Sequence, residues 1–315
     1  MRVFIATHKA DIDGVSPYIF LRLMYPEHSI EYRFLDANEI NGFLEENLAN
    51  NYFKNFDKVY ITDLTVSKKN CESINKDVKL REKLKIFDHH IFDLSNAEYG
   101  FGFSKDIDEN GVKQCATSLF YEHLLSERPD IFDKPVFKDY VENVRQYDVW
   151  EWEKTNNQDA KRLTMLFDIL GRSVYIDKYI DYFKTHDTFS FTDSELYLLK
   201  SEQDRINQYI KECEKRIIPC TICGKSCAVL FADRHRSEVG NALAKTFEGK
   251  YDVIVLVNMN MGVSYRTISE NIDLSQIAAT FGGGGHKKAS GSPIAQSFKE
   301  KVVLELFSKG NIRLD

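Results

Sequence analysis

Carboxylates and imidazoles recur at short spacing in the first 150 residues. The segment His8-x-x-Asp11-x-Asp13-Gly14 places one imidazole and two alternating carboxylates within seven residues. Such a loop could contact two neighbouring cations, because carboxylate oxygens and imidazole nitrogens are common ligands of divalent metals. Taken alone, a loop that caps a helix with an aspartate explains the same residues equally well.

Further acidic and histidine residues follow other apolar runs. They are Asp63, the triplet Asp88-His89-His90, and Asp148. Taken alone, Asp63 and Asp148 are more often turn or cap residues, and an exposed pair of histidines more often has only a structural role. Together they predict one shared site for two cations about 3.5–4 Å apart, an arrangement that lowers the pKa of a shared water and stabilises charge on a phosphoryl group.

The elements that must position these residues alternate along the chain. Apolar runs predict strands at residues 2–6, 30–35, 58–62 and 83–87, with helices at 15–25, 37–48 and 67–75. This alternation predicts an α/β fold with a parallel sheet and covering helices. Ligands of such sheets bind beyond the carboxyl ends of the strands, which is where the acidic and histidine residues are expected.

The second half of the chain follows a different pattern. Helices are predicted at 117–147 and 159–183, and a charged amphipathic helix at 194–218. Beyond it, a hairpin near Gly224, strands at 252–258 and 262–267, and helices at 238–247, 274–281 and 297–308 predict a smaller α+β domain. We therefore predict a metal-binding catalytic domain over 1–190, a helical linker over 191–218 and a second domain over 219–315.

Composition limits the class of protein. The chain has 315 residues, 43% of them hydrophobic, and a net charge of −6. This charge disfavours binding of long duplex nucleic acid, which needs many Lys and Arg to neutralise phosphates. No apolar run or leader suggests a membrane span or secretion, so we expect a cytoplasmic protein. Whether Cys220, Cys223 and Cys227 bind anything is open, although their spacing disfavours a structural zinc.

The motifs resemble those of the DHH phosphoesterase superfamily. THKADIDG is similar to its first motif, ITD to its second, FDHH to the motif that gives the name, and QYDVW to its fourth. The segment FGGGGHKKASG resembles the DHHA1 domain. The resemblance implies a parallel-sheet DHH domain joined to a smaller α+β DHHA1 domain.

The resemblance also implies roles for individual residues. Those expected to bind two divalent cations, manganese rather than magnesium, are His8, Asp11, Asp13, Asp63, His89 and Asp148. His8 and Asp11 would hold one ion, Asp13, His89 and Asp148 the other, with Asp63 between them. Asp88 is expected to orient His89, and His90 to contact a nonbridging phosphate oxygen.

Substrate-binding residues are implied in the second domain. They are Arg266, Gly283, Gly284, Gly285 and His286. An arginine offers a bidentate fork for a phosphate. Glycines let backbone N–H groups approach an anion closely, although a simple turn would use the same residues.

This combination most resembles the nano-RNase type of oligoribonuclease, a manganese-dependent exonuclease that degrades short single-stranded RNA to nucleoside monophosphates. Two alternatives remain. One is a phosphodiesterase or phosphatase acting on cyclic or linear dinucleotides or on 3′-phosphoadenosine 5′-phosphate, and the other is a non-catalytic nucleotide-binding regulatory module. The sequence leaves open the cleavage polarity, the base and length preference, the physiological metal and the oligomeric state, for which a homodimer is one option.

Overall fold

A computed structural model describes residues 1–90 and 98–309. Two compact units divide the chain, unit 1 from Met1 to Leu199 and unit 2 from Lys200 onwards. The domain limits expected at residues 190 and 218 remain a prediction. No helix in the described part is long and apolar enough to cross a membrane.

Four strands form a parallel sheet in unit 1. They are β1 (Val3–His8), β2 (Ile30–Leu35), β3 (Lys58–Thr62) and β4 (Leu84–Phe87), in the spatial order β2-β1-β3-β4. All four strands were predicted. The loop expected to start at Thr7 begins later, because Thr7 and His8 still pair with β2.

Helices cover both faces of this sheet. They are α1 (Ile12–Met24), α2 (Ile40–Ala49), α3 (Lys68–Lys76), α4 (Val78–Arg81), α5 (Ala116–Glu127), α6 (Pro129–Phe132), α7 (Pro135–Asp148), α8 (Trp152–Thr155) and α9 (Gln158–Thr185). The first helix starts three residues before the predicted Val15, because Asp11 caps it by accepting the N–H of Gly14. Helix α9 is interrupted at Gly171, whose φ is 72°.

Side chains alternate between the two faces of the sheet along each strand, and this alternation produces two cores in unit 1. Val3 and Ile5 of β1 pack in the core formed with α1, α5, α7 and α9. Phe4 and Ala6 pack in the core on the other face, with α2, α3 and α4. Successive strand side chains point to opposite faces, and burying each large apolar one contributes about 1.5–3 kcal/mol. This packing on both faces fixes the strand ends that carry the site.

Unit 2 contains a six-stranded sheet. Helix α10 (Asp193–Glu214) spans the unit boundary, and the strands are β5 (Ile218–Ile222), β6 (Lys225–Phe231), β7 (Val253–Asn258), β8 (Gly262–Arg266), β9 (Gly284–His286) and β10 (Ala289–Ser292). Their order is β5-β6-β7-β8-β10-β9, and β6 with β7 is the one parallel pair among these strands. The helices are α11 (Arg236–Thr246), α12 (Leu274–Thr280) and α13 (Gln296–Leu306).

One expectation for this half was wrong in detail. The helix predicted to reach residue 218 ends at Glu214, and Ile218 instead begins β5. No strand was predicted in the glycine run, yet Gly284 and Gly285 belong to β9, which pairs antiparallel with β10. Glycine has low strand propensity, so no local pattern indicated this edge strand. The hairpin near Gly224 is confirmed between β5 and β6.

Candidate metal centre

The carboxyl ends of three parallel strands place the predicted residues of unit 1 side by side. Thr7 of β1 pairs with Thr62 of β3, which pairs with Phe87 of β4. The residues that follow these three along the chain are His8, Asp63 and Asp88, respectively. The strand-end rule therefore brings together residues that lie up to 80 positions apart in the chain.

Asp11 both caps α1 and faces the site. Its Oδ1 accepts the N–H of Gly14 at 2.9 Å, while its Oδ2 lies 2.8 Å from His8 Nδ1. His8 Nδ1 also lies 3.4 Å from Asp63 Oδ2. Asp11 thus caps the helix and also contacts His8, so its role as a cap is compatible with the predicted ligand role.

Asp13 is buried and fixed by the start of α5. Its carboxylate accepts the backbone N–H of Ala116 at 2.9 Å and that of Thr117 at 2.7 Å, and the Thr117 hydroxyl donates to the Asp13 carbonyl at 2.8 Å. Free N–H groups at a helix N-terminus favour a negative charge. The side chain of Asp13 is therefore held in one orientation.

Three carboxylates surround the ring of His89. Its Nε2 lies 3.3 Å from Asp148 Oδ2, 3.6 Å from Asp63 Oδ1 and 3.7 Å from Asp13 Oδ2. Asp148 is the last residue of α7, and its buried Oδ2 has no hydrogen bond of acceptable geometry in the described part of the chain. A buried carboxylate oxygen without a donor is costly unless a cation satisfies it.

Three sets of these residues could each hold a metal ion. In each set, one ligand atom per residue lies within 4.8 Å of the others, and the sets are His8-Asp11-Asp63, Asp13-His89-Asp148 and Asp63-His89-His90. Asp63 belongs to two of them. The first two sets contain the residues that the family resemblance implied for separate ions. The individual ligand roles remain a prediction.

Crowding shifts the pKa values in this cluster. Burial raises the pKa of Asp63 to about 6, and the charges of Asp13 and Asp11 add to the effect. Burial, followed by the charge of Asp13, raises the pKa of Asp148 well above its usual range. Hydrogen bonds to Asp11 and Asp63 raise the pKa of His8 to about 10. Because like charges held this close repel, and oxygen and imidazole donors suit divalent cations, the residues fit a metal centre.

Asp63 also has an unusual backbone conformation. Its φ is 55°, in the left-handed region that few non-glycine residues adopt. The Asp63 N–H donates to the Phe87 carbonyl at 2.9 Å, which ties this turn to β4. Such a conformation costs about 1–3 kcal/mol and persists where surrounding contacts enforce it, often at functional sites.

Asp88 contacts a different ring from the one predicted. It was expected to orient His89, and its Oδ1 does accept the backbone N–H of His89 at 2.9 Å. The ring it holds, however, is that of His90, whose Nδ1 lies 2.7 Å from the same oxygen. The Thr65 hydroxyl donates to the other oxygen at 3.0 Å. The carboxylate of Asp88 thus contacts the ring of His90, and its role toward His89 stays a prediction.

The predicted substrate-binding residues lie together in unit 2. Arg266 of β8 pairs with Ala289 of β10, which pairs with His286 of β9, so Arg266 and His286 belong to one row across three strands. A Cβ at Gly283 would overlap the Gly291 carbonyl, whereas one at Gly284 would meet open space. Close packing of the chain therefore explains Gly283. Gly284 is exposed and has no such constraint. Gly285 follows it in β9.

Comparison with known proteins identifies the family. No protein-family profile matches the chain. The oligoribonuclease NrnB of Bacillus subtilis (strain 168) is 35% identical over 312 residues, which cover 97% of this chain and 76% of NrnB. The chain belongs to the oligoribonuclease NrnB family. This membership confirms the prediction of a hydrolase of the oligoribonuclease-like type.

Solved structures confirm the expected DHH/DHHA1 fold. The pGpG-specific phosphodiesterase PggH from Vibrio cholerae has a TM-score of 0.52 and 14% identity, covering 98% of this chain and 98% of PggH. RecJ from Thermus thermophilus, in complex with Mn²⁺, has a TM-score of 0.51 and 12% identity, covering 98% of this chain and 52% of RecJ. At such low identity the likeness to PggH and RecJ concerns the fold.

Sequence reasoning missed the residues that hold the predicted ligands. The N–H groups of Ala116 and Thr117 lie more than 100 positions from Asp13, which they anchor. Cys115 and Ser118 form a capping box at the start of α5, but they lack the Ser/Thr-x-x-Glu/Gln pattern that marks a helix start in a sequence, and nothing in them names Asp13 as the bound anion. Thr65 likewise carries no sequence signal for its bond to Asp88.

Proposed function

We propose that this protein is a divalent-cation-dependent phosphodiesterase that hydrolyses short oligoribonucleotides to nucleoside monophosphates. The observation that carries the proposal is that the ligand sets His8-Asp11-Asp63 and Asp13-His89-Asp148 adjoin each other, with Asp63 Oδ1 3.6 Å from His89 Nε2, in a member of the NrnB family. NrnB is named an oligoribonuclease, which supports short RNA as the substrate class. Manganese is the proposed ion, with magnesium as the second choice, since RecJ of this fold is described with Mn²⁺.

The chain would hold two cations with six side chains. These are His8, Asp11, Asp13, Asp63, His89 and Asp148. When bound, two divalent cations would activate a water nucleophile and neutralise the charge that develops on the phosphoryl oxygens. Asp13 needs little reorganisation for this task, because two backbone N–H groups already orient its carboxylate.

His90 is the proposed contact to the scissile phosphate. Asp88 accepts a hydrogen bond from its Nδ1, which leaves Nε2 as the nitrogen for a ligand. The side chain of His90 is 45% exposed, whereas that of Asp88 is 1% exposed. The hydrogen bond to Asp88 raises the pKa of His90 and so favours the imidazolium form, whose Nε2–H can donate a hydrogen bond to a nonbridging phosphate oxygen.

The overall charge agrees with a short substrate. A net charge of −6 disfavours a long nucleic acid, whose binding depends on many phosphate contacts. A short RNA has few phosphates, so a few local contacts suffice to bind it. Short single-stranded RNA, including linear dinucleotides, is therefore the proposed partner.

Product analysis tests this proposal. The purified protein would be incubated with manganese and end-labelled RNAs of about 2 to 24 nucleotides, alongside cyclic dinucleotides and 3′-phosphoadenosine 5′-phosphate. We expect mononucleotides to appear fastest from the shortest RNAs. Asp63→Asn and His89→Ala should lower turnover about 100-fold or more, since each removes a ligand on which the water activation depends. Asp139→Asn, which removes an exposed carboxylate of α7, serves as the matched control.

The other outcomes have defined meanings. Turnover confined to cyclic dinucleotides or to 3′-phosphoadenosine 5′-phosphate would replace the proposed substrate while keeping the metal centre. Nucleotide binding without turnover of any of these substrates would support the regulatory-module alternative. Full activity of Asp63→Asn would contradict the proposed centre itself.

A further inference from the structure

A tryptophan lies next to the proposed metal centre, just beyond the end of α7. Trp150 follows the predicted ligand Asp148 by two residues, so their Cα atoms lie within about 8 Å, because consecutive Cα atoms are about 3.8 Å apart. Trp150 is 40% exposed. Single exposed apolar residues are ordinary on a protein surface, so exposure alone assigns no role to this side chain.

The backbone conformation of Trp150 disfavours tryptophan. In the turn that ends α7, the N–H of Glu151 donates to the Gln146 carbonyl at 2.8 Å, and that of Trp150 donates to the Tyr147 carbonyl at 3.1 Å. The φ of Trp150 is 57°, and the left-handed residue that follows a helix in such a turn is usually glycine. The chain therefore places its bulkiest type of side chain where a residue without Cβ would be favoured.

A buried arginine holds this turn from its other side. Arg145 Nη1 donates to Glu151 Oε2 at 2.8 Å and to the Lys113 carbonyl at 2.9 Å. Its Nε and Nη2 donate to the two carboxylate oxygens of Glu142 at 2.8 and 2.7 Å. None of these bonds involves the indole of Trp150. The need to form the turn therefore does not explain why a tryptophan occupies it.

Two aromatic rings pack against the indole of Trp150 without stacking on it. The Trp152 ring lies 5.8 Å away between centroids at an interplanar angle of 68°, and the Tyr147 ring lies 5.9 Å away at 51°. Tyr147 and Trp152 stack on each other instead, with planes 17° apart, and Lys161 Nζ lies 5.7 Å from the Trp152 centroid. In the described part of the chain, no aromatic ring lies parallel to the indole of Trp150.

We propose that Trp150 stacks on the base of the nucleotide that is bound at the metal centre. An exposed indole that neighbouring rings hold in place, and on which none of them stacks, is suited to bind the flat face of a nucleobase. Stacking tolerates every base, because each has a π face, so this contact adds affinity without selecting a sequence. The choice of a nucleotide as the ligand rests on the proposed function.

Calorimetric titration of the full chain in manganese tests the contact without hydrolysis of a phosphodiester. The ligands would be adenosine 5′-monophosphate and ribose 5-phosphate, which share the sugar and the phosphate and differ in the base. We expect the adenosine ligand to bind about tenfold or more tightly, since one base stacks on an aromatic ring. Trp150→Gly should reduce this advantage to about twofold or less, whereas Trp152→Phe, the matched control, should retain it.

Fluorescence gives a second readout. The chain has two tryptophans, so Trp150 is the only one that remains in Trp152→Phe. Adenosine 5′-monophosphate should change the emission of this variant, and ribose 5-phosphate should leave it unchanged. Because glycine suits the left-handed turn, Trp150→Gly is expected to fold. Should it unfold, Trp150→Leu provides the same test, since it keeps an apolar side chain but loses the aromatic face.

Four results would overturn the inference. They are equal affinity for the two ligands, no measurable binding of adenosine 5′-monophosphate, a base advantage that survives Trp150→Gly or Trp150→Leu, and unchanged emission of Trp152→Phe when it is saturated with the adenosine ligand. The proposed function is judged separately, by hydrolysis of short RNA. A base advantage that depends on Trp150 in a chain that hydrolyses no RNA would reject the proposed function and keep this inference, and hydrolysis without such an advantage would do the reverse.

Discussion

Gly14 shows how one residue of the first motif sets the geometry of the site. A Cβ at this position would overlap the carbonyl oxygen of His8. The Gly14 N–H donates to Asp11 Oδ1 at 2.9 Å, and its carbonyl accepts the Thr7 hydroxyl. A side chain must therefore push α1 away from the end of β1, and both bonds would be disturbed. The motif needs glycine for space, in addition to its ligands.

We expect Gly14→Ala to destabilise unit 1 by about 1–3 kcal/mol, as overpacking commonly does, and to lower turnover by displacing His8 and Asp11. Thermal unfolding and hydrolysis of a short RNA would measure the two effects. Gly42→Ala in α2 is the matched control, because a Cβ there meets nothing within 4 Å and alanine favours a helix. Equal stability and turnover of Gly14→Ala and Gly42→Ala would contradict this account.

At the scale of elements, the proposed metal centre links the ends of β1, β3 and β4 to the end of α7 through Asp148. Asp148→Asn removes a charge that burial and Asp13 already disfavour, as the raised pKa of Asp148 shows. We therefore expect the metal-free variant to be at least as stable as the parent. Its stabilisation by manganese should be smaller, because one ligand oxygen is lost.

Calorimetry in EDTA and in manganese would measure this difference. Metal at a hundred times its Kd stabilises by about 2.7 kcal/mol, which corresponds to an increase of about 5–10 °C in the unfolding temperature of a unit this size. The exposed Asp139→Asn control on the same helix should show the full increase. If Asp148→Asn also showed it, α7 would not contribute a ligand.

Elements and site were predictable to different degrees. The four parallel strands follow from apolar runs, and strand ends in such a sheet share an edge, so the approach of His8, Asp63 and His89 could be inferred from sequence. The anchoring of Asp13 by α5 could not, because it depends on a tertiary contact across more than 100 residues. The edge strand β9 was also missed, since its pairing with β10 overrides the weak strand propensity of glycine.

For the whole molecule, acid pH is expected to act partly through a buried histidine outside the metal centre. The side chain of His123 in α5 is 10% exposed, its ring stacks on Phe87 with centroids 5.3 Å apart, and its Nε2 lies 3.3 Å from Lys85 Nζ. Burial, followed by the charge of Lys85, lowers the pKa of His123 to about 4, although Glu127 opposes the shift. The folded protein therefore keeps this ring neutral.

The sign of the pH dependence follows from this shift. Between the unfolded pKa of 6.5 and the folded pKa of about 4, the unfolded chain binds a proton at His123 that the folded chain does not. Stability must fall as the pH falls through this window, by about 1–2 kcal/mol from pH 7 to pH 5. His123→Gln should lose less stability over that interval in urea unfolding, whereas His28→Gln, at an exposed position, should lose as much as the parent. Parallel curves for the parent and His123→Gln would show that the acid sensitivity arises from other groups.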